Sequence, residues 1–533
     1  PRMTLLFSGV SVPPGTPFGD VVATVRRRLR AALPSGVSFS LYRRSVDARK
    51  RKDVRVVYTV AATGDFSPRE VERLSALGGV PLAEEMPSFT PGAEPLSAPL
   101  VVVGTGPAGL FAALLLAEMG YAPVVLERGG DVGERAEAYR TFCRRRVLDP
   151  NTNIQFGAGG AGTFSDGKLV TRVNDPLSAY VLSRFVEFGA PRDILTEAKP
   201  HIGTDLLRGI VSGMLARIEA VGGRVLYHTQ FLRPLTTAGR VTGVATDRGD
   251  LPCGALVLAI GHSARDTYAA LLRERLVIEP KAFSVGLRIE HLADDVDRAL
   301  YGDFAGHPDL GRASYNFSAD TDTRGVYTFC MCPGGRVVAA ASEEGGLVVN
   351  GMSDRARDGR NSNAALAVSV FREDYGATPE GAIDFQRRIE RAAFSAGGGD
   401  YAAPVTTVGD FLAGRRGKAP SRILPTYMED GATRLSSPED YLPPFVTAAL
   451  SRGILAFERR MSGFSAPDAV LTGPETRTSA PVRILRDASR VAIGTDNLYP
   501  AGEGAGYAGG ITSAPLDGLR TAMAIVGRFR PIL

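Results

Sequence analysis

Val101-Val-Val-Gly104-Thr-Gly106-Pro107-Ala108-Gly109-Leu110 is the stretch on which the fold turns. The apolar run 99–103 predicts a buried parallel strand, and it enters a G-x-G-x-x-G turn. Residues 110–119 continue as an apolar helix, and 123–126 read as a second strand ending at Glu127. Gly104 permits the tight turn, Gly106 lets the backbone approach a pyrophosphate, and Gly109 lets helix and strand pack closely. The helix N-terminus, opening with Pro107 and Ala108, offers the unpaired N–H groups of its first turn (Pro107 itself has none) and a positive dipole end to phosphates. Glu127 stands where an acid accepts hydrogen bonds from an adenosine ribose. In this order, the parts imply a Rossmann-like dinucleotide site.

Two further stretches bear on which dinucleotide. The run Glu127-Arg128-Gly-Gly-Asp-Val-Gly133-Glu-Arg135 resembles the extension of glutathione-reductase-type flavoproteins, in which the arginine braces the fingerprint region. Near the C-terminus, Gly502-Glu503-Gly-Ala-Gly506-Tyr-Ala-Gly-Gly510-Ile511 resembles the second FAD motif of that group, whose carboxylate holds the ribityl chain. Glu503 stands here in place of the usual Asp. Thr512 or Ser513 can cap a following helix, with Pro515 in its first turn and Leu516, Leu519, Met523 and Val526 on one face. The positive end of that helix would face the pyrimidine side of a flavin. The resemblance also places the strand end 256–261, closing on Gly261, and the adenine-side residues Gln230 and Phe231 against the cofactor. FAD is the cofactor these stretches imply.

The loop 151–168 carries Gly157, Gly159, Gly160, Gly162 and Gly167. Such a backbone can lie flat against a planar ring and offer N–H groups to it. Gly160, Ala161, Gly162 and Thr163 are therefore candidate cofactor contacts, and Asp166 and Lys168 bring charge of both signs. Phe156 and Phe164 point to a packed loop.

The chain has 533 residues, 44% hydrophobic and 22% charged, with a net charge of +5. Length gives a prior of about three domains. The expected fold class is α/β: a Rossmann-like FAD-binding domain interrupted by a mixed α+β substrate domain, plus a small N-terminal α/β (ferredoxin-like) module. The expected boundaries are 1–78 for that module, 79–98 for a Pro-rich linker, 99–276 and 481–533 for the flavin domain, and 277–480 for the substrate or lid domain. Within 99–276 three antiparallel strands are expected at 224–233, 240–248 and 255–260. No apolar run reaches the roughly twenty residues of a membrane span. Residues 3–12 lack the basic flank and cleavage site of a secretory signal, and four cysteines are too few for a disulfide framework, so the expected compartment is the cytoplasm.

The chain resembles the family of FAD-dependent dehydrogenases described as NAD(FAD)-utilizing. The matching stretches include Arg43 to Lys50, Phe156 to Leu169, Phe283-Ser-Val-Gly-Leu-Arg288-Ile-Glu290-His291, Cys330-Met-Cys332-Pro-Gly-Gly335, Ser342-Glu343-Glu344-Gly345-Gly346 and Gly473-Pro-Glu475-Thr-Arg477. The resemblance implies a flavin fold and redox chemistry; it implies no substrate.

Several residues have two readings. Arg288, Glu290 and His291 either line a site, with His291 as a base, or belong to a core-facing strand; His262 is open in the same way. Arg477 and Arg483 can bind a carboxylate or phosphate, or brace Glu475 or Glu503. Glu343 and Glu344 are candidates to accept a proton, or form a turn. In a regular strand Cys330 and Cys332 would stand roughly 7 Å apart, beyond the Cα–Cα range of about 4.4–6.8 Å that a disulfide spans. No metal site is expected.

The catalytic candidates are thus Glu343, His291, Arg288 and Arg477. The expected reaction is hydride transfer from a small organic substrate to flavin N5, by a dehydrogenase or oxidase. One dinucleotide fingerprint leaves NAD(P)H, at most, a transient partner; an NAD(P)H-dependent reductase or monooxygenase is the alternative. A basic stretch at 43–55 raises a second alternative, action on RNA, but Asp47 and Asp53 interrupt it and no aromatic ladder accompanies it.

Overall fold

The computed structural model describes residues 2–29, 33–82, 88–169, 175–322, 324–428 and 431–532. Two compact units emerge, one of residues 1–87, 169–201 and 293–313, the other of 88–168, 202–292 and 314–533.

The first unit holds a four-stranded antiparallel sheet, ordered Ser38–Asp47, Arg55–Asp65, Arg2–Val12 and Gly79–Pro81. With helices Phe18–Leu29 and Pro68–Ala76, this is the βαββαβ order of the expected ferredoxin-like module. The first helix buries Val21, Val25 and Leu29, spaced i, i+4, i+8 on one stripe. The second starts on a capping box: Ser67 N donates to Glu70 Oε2 at 2.7 Å, and Glu70 N to Ser67 Oγ at 3.4 Å. Residues 79–81, assigned from sequence to the linker, pair with the first strand. In the basic stretch, Arg44 meets Glu197 at 3.2 Å, Arg49 meets Asp47 at 2.5 Å, and Arg55 lies 3.8 Å from Asp53.

The second unit is built on a five-stranded, wholly parallel sheet ordered Leu498–Pro500, Ala255–Leu258, Leu100–Val103, Val124–Leu126 and Arg224–Leu226. The expected antiparallel trio is corrected here. Residues 224–226 and 255–258 belong to the parallel sheet, and the antiparallel sheet is Phe231–Thr237, Arg240–Thr246 and Gly249–Pro252. Two facts explain this: His228 has φ 50 and breaks the run 224–233, and Ala255–Leu258 is buried at every position, as a central parallel strand must be.

The helix Pro107–Glu118 is buried continuously from Ala108 to Ala117 and packs against the C-terminal helix Ser513–Arg528. Of the Pro-rich linker, 83–87 lie outside the described residues. Its later part is bound to the C-terminal helix: Gly92 N donates to the Val526 carbonyl at 2.7 Å, and Arg528 Nε to Glu94 at 2.7 Å. A seven-stranded sheet, with Phe283–Leu292 at its centre between Asn361–Val370 and Val470–Glu475, supplies the remaining scaffold. Among the described residues no helix is long and apolar enough to cross a membrane, and no group of three His, Cys, Asp or Glu could hold a metal ion.

Candidate functional site

Val103 ends its strand at Gly104, whose φ is 94. A Cβ there would stand 2.1 Å from the Ala259 carbonyl oxygen, so only glycine fits this turn. Gly106 caps the helix, and Gly160 of the glycine-rich loop lies directly over it; a Cβ on Gly160 would come within 2.7 Å of Gly106 Cα. The C-terminal turn joins them. Tyr268 Oη donates to the Gly504 carbonyl at 2.7 Å and lies 3.2 Å from that of Gly261. Segments some four hundred positions apart in sequence thus close on one space.

That space is a cavity of about 940 Å³, its open mouth included, within the size range of cofactor sites. Gly104, Gly106, Pro107 and Ala108 line one wall, and Glu127, Arg128 and Phe231 one end. Gly160, Ala161 and Gly162 face them, while Gly261, Glu503 and Gly510 complete the lining. Gly109, Gly502, Ile511, Thr163, Lys168 and Arg135 stand outside the lining. Gln155, His262 and Ser263 line it without having been singled out as cofactor contacts.

Glu127 is already fully engaged. Its Oε2 accepts from Thr105 N at 3.2 Å and from the Thr105 hydroxyl; its Oε1 accepts from Gly129 N and Gly157 N, both at 3.0 Å. A carboxylate has about four acceptor positions, so a ribose here must share or displace these donors. Arg128 pairs with Asp266 at 2.9 Å and lies over the Phe156 ring, 4.2 Å from its centroid. Arg135 is a loop organiser: Nε donates to the Asn153 carbonyl at 2.8 Å, and Nη1 to those of Ala158 and Gly160 at 2.8 and 2.7 Å.

Glu503 contrasts with Glu127. No donor among the described residues reaches its carboxylate, and burial, opposed by Lys281, pushes its pKa up to about 7. Gln155 Oε1 is likewise buried without a partner. Unpaired acceptors in a cavity wall suit a ligand rich in hydroxyl and amino groups, as the ribityl and adenosine parts of FAD are.

The catalytic candidates stand away from this lining. Arg288 is fully buried, with Nε on Asn363 Oδ1 at 2.7 Å and Nη1 on Glu475 at 2.8 Å. His291 sits in an aromatic core, Nε2 against the Phe464 carbonyl at 2.9 Å and its ring 5.2 Å from that of Phe464. Both therefore take the core-facing reading. Glu343 accepts from Arg387 Nε and Nη2 at 3.0 Å and from Arg265 Nη1 at 3.2 Å. Burial works to raise its pKa, but Arg387 and Arg265 outweigh it and hold the carboxyl below its ordinary value, which makes a poor proton acceptor. Lys168 Nζ donates to the Met331 carbonyl and lies 3.9 Å from Asp166, tying the glycine-rich loop to the strand Gly325–Cys332. That strand is irregular. Cys330 has φ 47 at a break in register, so the spacing of a regular strand does not apply to the two thiols, which are free.

Arg477 braces rather than binds, but not against the expected acids. Its Nε and Nη2 meet Glu390 at 3.0 Å, and its Nη1 meets Ser263 Oγ at 2.9 Å in the cavity wall. Glu390 in turn pairs with Arg265, at 2.7 and 2.8 Å. Neither Arg265 nor Glu390 stands out in the sequence, because a charge in an amphipathic helix, Arg265–Arg273 for the one and Pro379–Ala396 for the other, reads as solvated.

Residues 282–478 match the family model "FAD-dependent protein, C-terminal domain-like", and 102–173 match a "NAD(P)-binding Rossmann-like domain". An uncharacterized protein of Clostridium beijerinckii is 45% identical over 496 residues, covering 92% of each chain. The chain belongs to the FAD-dependent oxidoreductase family, and FAD is its cofactor. Among solved structures, L-amino acid deaminase from Proteus vulgaris is 12% identical, covering 84% of this chain and 94% of its own, with a TM-score of 0.35. Glycine oxidase from Bacillus cereus is 11% identical, covering 82% and 99%, with a TM-score of 0.34.

Proposed function

We propose that FAD sits in the cavity between the two glycine turns and that this oxidoreductase oxidises a small organic substrate. The observation that carries the seat is the Glu503 carboxylate, unpaired among the described residues in a wall where burial pushes it up to about 7. On this reading, 99–276 and 481–533 form the flavin domain, 277–480 the substrate side, and 1–78 a separate module joined through 79–98. The bound flavin supplies the acceptor of a hydride at N5.

The chain's own residues bind and orient. The N–H groups at the start of Pro107–Glu118 meet the pyrophosphate. Glu127 accepts from the adenosine ribose by sharing its acceptor positions among the sugar hydroxyls and the donors of Thr105 and Gly157. Glu503 accepts from the ribityl hydroxyls, and Gly160 to Gly162 cover the cofactor from the glycine-rich loop. Arg135 and Lys168 act from behind by holding that loop, while Gly109, Gly502, Thr163 and Ile511 support the turns.

Purified protein is expected to be yellow, and a screen of small organic substrates without oxygen should find one that bleaches it. Anaerobic NADH or NADPH should leave the flavin spectrum oxidised; fast bleaching by either would favour the reductase reading. Colourless protein that cannot be loaded with FAD would remove the cavity assignment.

A pH dependence follows from Glu503. Its carboxyl titrates near 7 without ligand, and donated hydrogen bonds favour the ionised form. Below about pH 7, binding therefore releases a proton, so affinity for FAD should rise with pH, by up to about tenfold per unit between roughly pH 5 and 7, and then level off. Fluorescence titration of FAD into stripped protein measures this, and Glu503→Gln should abolish the slope.

A further inference from the structure

His262 leaves the end of the strand Ala255–Leu258 and lines the cavity, 9% exposed. Its Nδ1 lies 2.8 Å from Ser263 Oγ, and that oxygen accepts from Arg477 Nη1 at 2.9 Å. A guanidinium can only donate, so the Ser263 oxygen is the acceptor in the second contact and its own proton remains to be placed. Among the described residues the acceptor within reach of that proton is His262 Nδ1. The opposite arrangement, with the proton on Nδ1, would aim it at an oxygen already facing a cation and leave the serine proton unpaired.

The far nitrogen, Nε2, has no partner among the described residues. Behind the serine the geometry is fixed: Arg477 is clamped by Glu390, which Arg265 clamps from the other side.

We infer that His262 is a neutral imidazole locked in the Nε2–H form, and that this N–H is a fixed donor to an acceptor atom of FAD in the cavity. The inference rests on the seat of FAD proposed above. Ser263 and Arg477 are positioning residues, acting through the imidazole. Burial, with the nearby charges of Arg477 and Arg265, depresses the His262 pKa to about 3. The ring thus holds its proton and carries no charge across the physiological range, which takes His262 out of the set of proton-accepting bases.

The chain has five histidines, so histidine-selective ¹⁵N labelling of the FAD-loaded protein gives few ring signals. The signal missing in His262→Gln identifies its own. A long-range proton–nitrogen spectrum is expected to show a bare Nδ1 and a protonated Nε2, unchanged from about pH 5 to 8. A protonated Nδ1, or a titration inside that window, overturns the inference. Ser263→Ala should mix the two tautomers, since it removes the proton donor; a spectrum identical to the parent's counts against the lock. His262→Phe keeps a planar ring and removes the donor, and should bind FAD about tenfold more weakly. Parental affinity in that variant overturns the donor role. If His262→Phe does not fold, the tautomer of the parent still decides. Failure of the FAD seat is distinguishable: parent protein that takes up no flavin sinks the seat, whereas yellow protein with Nδ1–H sinks this inference alone.

Discussion

Glu390→Gln is expected to destabilise the protein by about 3–5 kcal/mol, the cost of breaking a buried ion pair from one side. Glu390 is 0% exposed. Its Oε1 accepts from Arg265 Nη2 at 2.8 Å, Arg477 Nε at 3.0 Å and Thr476 Oγ1 at 2.7 Å; its Oε2 accepts from Arg265 Nη1 at 2.7 Å and Arg477 Nη2 at 3.0 Å. Burial opposes ionisation, but the two guanidiniums outweigh it and hold the carboxyl far below its usual value. The amide keeps the shape and loses the charge, leaving Arg265 and Arg477 facing each other out of water. The effect should appear as a lower urea midpoint at unchanged slope. Glu343→Gln, on the more exposed edge of the same network, should cost under about 1 kcal/mol. A similar loss in both variants would mean that Glu390 does not hold the network together.

Arg135→Leu should remove at least about 3 kcal/mol of stability and most of the flavin. The guanidinium is 0% exposed and donates to the carbonyls of Asn153, Ile154, Ala158 and Gly160, while lying 4.5 Å from the centroid of Phe164. Each buried carbonyl left unpaired costs about 1–3 kcal/mol, so the segment 153–160 must rearrange. Gly160 would then leave its place over Gly106. Lysine brings charge without the planar fork, so Arg135→Lys should fall between parent and Arg135→Leu. Flavin content per protein, read from the visible spectrum, together with the unfolding midpoint, checks both effects. A fully yellow Arg135→Leu of parental stability would overturn this account of the loop.

Much of the nucleotide fold is legible in the sequence because its signals are local. Strand, glycine turn, helix and acid fall within residues 99–127, and each is fixed by backbone geometry or by burial of the adjoining run. The capping box at Ser67 and Glu70 and the stripe at Val21, Val25 and Leu29 are local in the same sense. The strand 224–233 is misread because a left-handed residue at His228 carries no sequence mark, histidine being an ordinary strand residue. The catalytic candidates fare worse for a different reason. Arg288, Glu343 and Arg477 are charged residues in glycine-rich or apolar settings, which suggests a site. What decides their role is a partner far along the chain: Glu475, Arg387 and Glu390. Ser263 is the converse, unremarkable in sequence, and it and His262, whose sequence leaves both readings open, are placed in the cavity wall only by the turn that follows the strand Ala255–Leu258.

The split of the parallel sheet has a consequence for biosynthesis. Leu498–Pro500 is an edge strand of that sheet, and the turn after it carries Glu503 and Gly510. Everything on the opposite wall is translated far earlier. While the ribosome is still making the intervening segment, the nascent polypeptide has a half-built groove with one face open to water. With FAD seated as proposed above, loading of the prosthetic group waits until residues 498–510 have been made, and the wall built earlier must persist without its ligand until then.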